Sequence, residues 1–397
     1  MTRLAYVCAD PGIPVFGTKG AAVHVREVVR ALRRGEVHVE LFATRTGGPP
    51  PRDLDDVAVH PLPVPTGGLA DREASARAAN APLLDALSAA GPFDMVYERY
   101  SLWSWAGMAW ACAGGAAGLL EVNAPLVDEQ AHRRGLSDRA AAETVAARVL
   151  GEATAVVAVS GGVAEWARRR VGDPGAVHVV ANAVDPTRFA APARRGDAAT
   201  FTVGFVGSLK PWHGVTTLVA ALAHLVAADG TYRLRLVGDG PERARLEQAV
   251  QAAGISHATT FTGAVDPDDV PGQLALMDVA TAPYPDTGEA YFSPLKITEY
   301  LAAGVPVVAS AVPAVREAVT DGVDALLCAP GDPVALAAAI ARLRAQPALR
   351  RTLADAGRRR IVAEDRTWDA VAKRILALGG GGMRPCATSL ITSSQGA

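Results

Sequence analysis

The chain has 397 residues, half of them hydrophobic, which is enough for about two independently cored domains. Lys and Arg number 39 against 41 Asp and Glu, a formal net charge of −2, which excludes a general electrostatic pull toward nucleic acid or an anionic membrane. The 4 cysteines, Cys8, Cys112, Cys328 and Cys386, are widely spaced in neither a metal nor a disulfide pattern, so a reducing, cytoplasmic setting is expected.

Residues 1–3 lead straight into an apolar strand at 4–8, with no signal peptide expected. The loop PVFGTKGAAVHV (14–25) follows, where Gly17 and Gly20 flank Thr18 and Lys19. Residues 21–34 have the period of an amphipathic helix, with Val25, Val28, Val29 and Leu32 on one side. Arg26, Arg30, Arg33 and Arg34 form the opposite stripe. A solvated face is expected for them, with membrane contact the weaker reading. His24 is expected to be packed or on the surface. Short strands follow at 37–43, 57–60, 95–97, 117–123, 155–159 and 177–180, with helices at 70–90 and 137–152 among the connections. The uncharged stretch 102–120 is nearly long enough to span a bilayer. Its Ala and Gly content and the Gly114-Gly115 break predict instead a buried helix, a turn and a strand. Two strand ends carry polar groups. Tyr97-Glu98-Arg99-Tyr100 closes one strand, and Glu121-Val122-Asn123-Ala124-Pro125 closes the next, at the carboxyl edge where open α/β sheets place ligands. Glu129 and His132 stand one turn apart without a third ligand, so no metal site is expected.

Residues 186–199 read as a linker. A second strand series then runs through 202–206, 233–237, 259–262, 279–282, 305–309 and 325–327. This strand–helix alternation from end to end predicts parallel sheets covered on both faces. Two of its turns carry chemistry. In FVGSLKPWHGV (205–215), Gly207 and Gly214 bracket Lys210 and His213, a strand-to-helix turn able to hold a diphosphate. In EAYFSPLKITEYLAAGVPVVAS (289–310), Ser293 is a good N-cap and Pro294 suits the first turn. Lys296 and Glu299 lie in the short helix that Gly304 ends. A helix start carries partial positive charge and unpaired N–H groups suited to phosphate, and Glu299 can accept from sugar hydroxyls. Residues 379–397 open with four glycines and continue with small polar residues, so disorder is expected.

These two segments resemble the C-terminal half of the retaining glycosyltransferases of family 4. The resemblance extends through Val237-Gly238-Asp239-Gly240-Pro241, Phe261-Thr262-Gly263-Ala264-Val265, Asp278-Val279, Pro283-Tyr284 and the interdomain segment Val179–Asp185, over residues 1–378. It implies the α/β GT-B fold, two Rossmann-like domains facing each other across a cleft. Residues 1–185 would form the acceptor-side domain, with a helix at 365–378 returning to it. Residues 200–364 would form the nucleotide-sugar domain. The implied reaction moves a sugar from a nucleoside-diphosphate donor, UDP-linked by expectation, to a small-molecule hydroxyl, as in bacterial secondary metabolism. Such a reaction needs no cofactor, because a cation, helix N-termini and backbone N–H groups can stabilise the leaving diphosphate.

By the same resemblance, Gly17, Gly20, Gly207, Lys210, His213, Val265, Glu289, Ser293, Pro294, Leu295, Lys296 and Glu299 would line the donor. Lys19, Arg99 and Asn123 would lie on the acceptor side. Lys210, Glu299 and Asn123 are the catalytic candidates. Four departures are visible. Ser208 stands where the family commonly has Arg, and His213 where it has Lys. Counting back from Glu299 to the first of the family's two glutamates gives Tyr291, with Glu289 two positions earlier. Asn123 takes the place of a histidine that touches the donor sugar; an amide can orient a hydroxyl but supplies no acid–base chemistry at neutral pH. For His213, packing beside Trp212 competes with a phosphate contact. A sugar-nucleotide epimerase or pseudo-glycosyltransferase, and a catalytically silent scaffold, are the rival readings. No nucleic-acid partner and no transmembrane segment are expected.

Overall fold

The computed structural model describes residues 1–133, 135–189, 199–286 and 293–380. The chain divides into two compact units. The first comprises Met1–Gly17 and Ala21–Ala181 with the helix Trp368–Gly380, and the second comprises Thr18–Gly20 and Asn182–Thr367.

In the first unit, β1 (Arg3–Cys8), β2 (His38–Ala43), β3 (Val59–Pro61), β4 (Met95–Arg99), β5 (Ala117–Val122), β6 (Ala155–Ala158) and β7 (Val177–Val179) form one sheet. Its order is β3-β2-β1-β4-β5-β6-β7, and every pairing is parallel. Leu4 stands opposite Val39 on one side and Met95 on the other. The central strands read as continuous apolar runs because helices cover both of their faces. The direction of strand succession reverses between β1 and β4, so the carboxyl ends Cys8 and Arg99 border the crevice such a reversal opens.

In the second unit, β8 (Phe201–Val206), β9 (Tyr232–Val237), β10 (Thr259–Gly263), β11 (Val279–Ala282), β12 (Val307–Ser310) and β13 (Leu326–Cys328) form a parallel sheet ordered β10-β9-β8-β11-β12-β13. This is the strand order of a doubly wound nucleotide-binding sheet. Helices Val215–Ala228 and Pro333–Ala345 cover one face through Leu218, Leu222, Ile340 and Leu343. Helices Leu295–Ala303 and Pro313–Ala318 cover the other through Ile297, Tyr300, Leu301 and Val315. The reversal falls between β8 and β11, at Val206 and Ala282.

Several expectations change. The helix expected at 70–90 is two, Leu69–Ala78 and Asn80–Ala90. Asn80 is the reason. Its amide donates to the carbonyls of Arg77 and Trp103 at 2.9 Å, and its oxygen accepts the N–H groups of Trp105 and Ala106. A polar side chain thus ends one helix and satisfies the start of another, Ala106–Gly114. That helix, Gly115 in the left-handed conformation and β5 account for 102–120, and among the described residues no helix is long and apolar enough to cross a membrane. The arginine stripe is not a free solvated face. Arg26 is buried, Arg30 pairs with Asp53 and Glu27, Arg33 with Asp56, and Arg34 with Asp369. The segment expected as a linker from 186 is anchored: Phe189 is buried in the second unit's core and Arg188 pairs with Asp268. Cys8 and Cys328 are free and buried, whereas Cys112 is disulfide-bonded, which the cysteine spacing does not suggest. The expected tail at 379–397 lies outside the described residues beyond Gly380.

Candidate functional site

The carboxyl ends of β8 and β11 gather most of the described donor-side residues. Strand β8 ends at Gly207, whose φ of +140° is open only to glycine at low cost. Its neighbours are as tightly constrained. A Cβ on Gly238 would lie 2.1 Å from the Gly207 carbonyl oxygen, and one on Gly214 would lie 1.8 Å from that of Pro283. These glycines let the tips of β8, β9 and β11 come together backbone to backbone.

Lys210 follows, half-buried, with its Nζ 5.6 Å from the Trp212 ring centroid. Among the described residues no carboxylate pairs with it. His213 closes the short turn Pro211–His213. Its Nδ1 lies 2.5 Å from the Ser208 carbonyl oxygen. Burial, then the charges of Lys296 and Lys210, push its pKa down to about 3. The ring is therefore neutral at pH 7, with Nδ1 donating to that carbonyl and Nε2 left as an acceptor. His213 also packs among Phe205, Trp212 and Tyr284, so the turn's formal charge comes from Lys210.

Helix Leu295–Ala303 approaches the same turn. Ser293 does not cap it: the capping position is Pro294, with no side-chain cap bond. Ser293 Oγ instead accepts the Asn182 N–H at 3.2 Å, and its carbonyl accepts the Asn182 amide. Proline's fixed φ sets the helix entry in place of a capping hydroxyl. The N–H groups of Leu295 and Ile297 turn back to the carbonyls of Ser293 and Pro294. Lys296 reaches across to Gly207, where a Cβ would stand 3.3 Å from its Nζ. Glu299 lies one turn further along, half-buried, on the side of Lys296 and Tyr284. Val265 packs at the edge of the core beneath this helix. Glu289 and Tyr291 lie outside the described residues.

Tyr300 was missed by the sequence reading. Fully buried, its hydroxyl accepts the Val206 N–H at 2.8 Å and reaches the carbonyls of Val206 and Thr281 at 3.3 and 3.5 Å. It ties the helix carrying Lys296 and Glu299 to both strand ends. A tyrosine beside Glu299 was visible, but nothing local shows that its hydroxyl would bridge β8 and β11.

In the first unit, the Gly17 N–H donates to the Pro14 carbonyl at 2.7 Å, and a Cβ there would meet the Pro14 ring at 2.8 Å. Lys19 and Gly20 are exposed where helix Gly20–Arg34 starts. Arg99 and Asn123 both serve Glu121, the second residue missed. Glu121 is buried on β5 and accepts from Arg99 at 2.6 Å, from the Tyr97 hydroxyl at 2.5 Å and from the Asn123 amide. His24 Nε2 lies 2.7 Å from Oε2, the oxygen that also accepts from Tyr97, and Trp368 packs edge-on against the His24 ring. Burial alone would raise the Glu121 pKa, but His24, Arg99 and Tyr97 hold it well below the usual carboxylate range. With the Asn123 amide nitrogen committed to this carboxylate, its Oδ1 is the atom left to accept from a ligand hydroxyl. His24 is packed rather than exposed. Among the described residues no group of three or more His, Cys, Asp or Glu could hold a metal ion.

Two family descriptions match this chain: "Glycosyltransferase Family 4" over residues 18–188 and "Glycosyl transferases group 1" over residues 200–346. A D-inositol 3-phosphate glycosyltransferase of Geodermatophilus obscurus is 31% identical over 373 residues, covering 86% of this chain and 80% of the relative. A 2-deoxystreptamine glucosyltransferase of Streptomyces kanamyceticus is 34% identical over 184 residues, covering 43% of this chain and less than half, 46%, of the relative. Among solved structures, sucrose-phosphate synthase from Thermosynechococcus elongatus superposes with a TM-score of 0.77 at 23% identity, covering 99% of this chain and 100% of the other. Anabaena HepE in complex with UDP-glucose gives 0.72 at 17% identity, covering 95% and 100%. The parallel-sheet halves, the glycine-tipped turn after β8 and these likenesses together show that the chain belongs to glycosyltransferase family 4, the GT-B enzymes of glycosyl transferases group 1.

Proposed function

We propose that this protein is a retaining glycosyltransferase that moves a sugar from a UDP-linked donor to a hydroxyl of a small-molecule acceptor. One observation carries the reading: two amines that form no ion pair among the described residues, Lys210 and Lys296, converge with the neutral His213 on the glycine-tipped turn at the reversal point of the second sheet. A diphosphate seated there meets positive charge on two sides, and Glu299 stands one turn along the helix to accept from ribose hydroxyls. The amines and the turn backbone supply the stabilisation of the leaving group, so the reading assigns no metal or other cofactor. Within the first unit, Asn123 Oδ1, oriented by Glu121, offers an acceptor to a ligand hydroxyl. The acceptor oxygen attacks on the face the diphosphate leaves, and a leaving phosphate oxygen takes its proton, which accounts for a site without a protein base. The UDP-glucose held by Anabaena HepE supports the donor assignment. The relative that acts on 2-deoxystreptamine supports a small polyol or aminocyclitol acceptor.

The test is turnover of UDP-glucose and other nucleotide sugars with a panel of aminocyclitol and inositol acceptors, followed by NMR of the product's anomeric proton. The expected result is release of UDP and a product with the donor's anomeric configuration, unchanged by EDTA. A product of inverted configuration overturns the retaining assignment. No nucleoside diphosphate released from any donor, with or without acceptor, overturns transferase activity itself.

A further inference from the structure

Lys296 is half-buried as a residue, but its amine is buried in a way that lysine amines rarely are. Its Nζ is sealed from solvent and has no hydrogen-bond partner among the described residues. An ammonium left so is among the most costly side-chain placements in a protein. The atom sits against the Gly207 turn, 4.3 Å from the Phe205 ring centroid and 5.1 Å from that of Tyr284. Aromatic faces attract a cation but accept no strong hydrogen bond from it.

The groups facing it come from three elements. Its own helix contributes Glu299. The segment after β11 contributes Tyr284, whose pKa burial pushes above its ordinary value. The turn after β8 contributes His213, held neutral, on which the charges of both Lys296 and Lys210 act. Glu299 favours the charged amine but does not offset burial, which pushes Lys296 down to about 7. The amine is therefore divided between its two forms near neutral pH.

We propose that Lys296 is a proton-linked anchor for the donor's diphosphate: its amine takes up a proton from solvent as a nucleoside diphosphate seats on the Gly207 turn, and it releases that proton when the product leaves. The inference rests on reading this turn as the nucleotide-sugar site. A phosphate oxygen beside Nζ supplies the acceptor and the negative charge that the free site lacks, so the bound state favours ammonium. The Nζ lone pair takes the proton, no other bond changes, and the charge is in place before the glycosidic bond breaks. The linkage has a definite sign. Below about pH 7 the amine is already charged and binding takes up nothing; above it, affinity falls as pH rises because binding then requires a proton.

Calorimetric titration of the full chain with UDP, GDP and ADP, in buffers of different ionisation enthalpy, measures that proton. The expected result is close to one proton taken up per nucleotide near about pH 8.5 and none near about pH 6. Lys296→Met keeps the length of the side chain between its two rings. It should abolish the uptake and weaken binding about 10- to 100-fold at about pH 6. Lys296→Arg, charged at every pH, should bind without uptake. Circular dichroism checks that each variant folds; if Lys296→Met does not, the wild-type pH profile and Lys296→Arg decide. Binding without uptake at about pH 8.5 overturns the inference and leaves the nucleotide site standing. Uptake that persists in Lys296→Met, or that grows toward acid pH and so belongs to His213, also overturns it. Failure of all three nucleotides to bind overturns both the inference and the function reading.

Discussion

The chemistry of the second unit turns on which side chains keep an uncommitted charge. Three cations were legible around the turn after β8, and the structure sorts them. His213 is neutral because burial, and then the charges of Lys296 and Lys210, disfavour its protonated form more than the Ser208 carbonyl at Nδ1 favours it. Lys296 is sealed behind Gly207. Lys210 stays half-exposed with no carboxylate paired to it among the described residues, and it is the fixed charge proposed here for the diphosphate. Replacing it tests that role. The diphosphate gains charge as the glycosidic bond breaks, so a preorganised cation is worth more in the transition state than in the ground state. Lys210→Ala should lower kcat about 100- to 1,000-fold with a smaller effect on KM, as measured by steady-state kinetics. A change within a few-fold would mean the phosphate is held elsewhere. Arginine should rescue only in part, because a planar guanidinium does not fit a tight turn as a point charge does.

At the scale of elements, two helices near the sites are held by a polar group whose partners lie far off in sequence. Tyr300 fastens helix Leu295–Ala303 to β8 and β11, and Asn80 satisfies the start of helix Ala106–Gly114. Glu98, at the end of β4, braces that same helix from inside the first sheet. It accepts from Ser104 Oγ at 2.5 Å and from the Met108 N–H at 3.2 Å. Burial pushes its pKa up to about 7 despite those bonds. A carboxyl raised in the folded state binds more protons there than in the unfolded chain, so stability falls as pH rises from the unfolded value near 4.5 through about 7. The difference corresponds to roughly 3 kcal/mol once the group is fully ionised. Glu121 has the opposite sign: its stabilisation is present above the unfolded carboxylate pKa and is lost only in acid as its depressed value is approached. Glu98→Gln should therefore flatten the decline in stability between about pH 5 and about pH 8, read from urea unfolding at each pH. An unchanged slope would show that Glu98 is not the group responsible.

For the whole molecule, the two sheets enclose separate cores, one around Val96, Leu120 and Val156 and the other around Phe205, Leu222 and Ile340. Two separate cores predict two unfolding transitions rather than one cooperative one. Scanning calorimetry should resolve two transitions. Gly214→Ala, which forces a Cβ onto the Pro283 carbonyl in a left-handed backbone, should lower only one of them, by about 2–4 kcal/mol. A single transition that shifts as a whole would show that the units unfold together. The sequence by itself determined the alternating parallel architecture, the glycine-bounded turn with Lys210, and the short helix of Lys296 and Glu299 ended by Gly304. Those features are written in local periods and turn residues. It read residues 70–90 as one helix and 186–189 as linker, because the partners of Asn80 and Phe189 lie outside any local window. Only the tertiary structure decided that His24, Tyr97, Arg99 and Asn123 converge on Glu121, that Tyr300 joins two strand ends, and that the Lys296 amine lies sealed with no hydrogen-bond partner among the described residues. Parallel register brings residues roughly a hundred positions apart to one sheet edge, and burial there sets their protonation, which neither period nor spacing encodes.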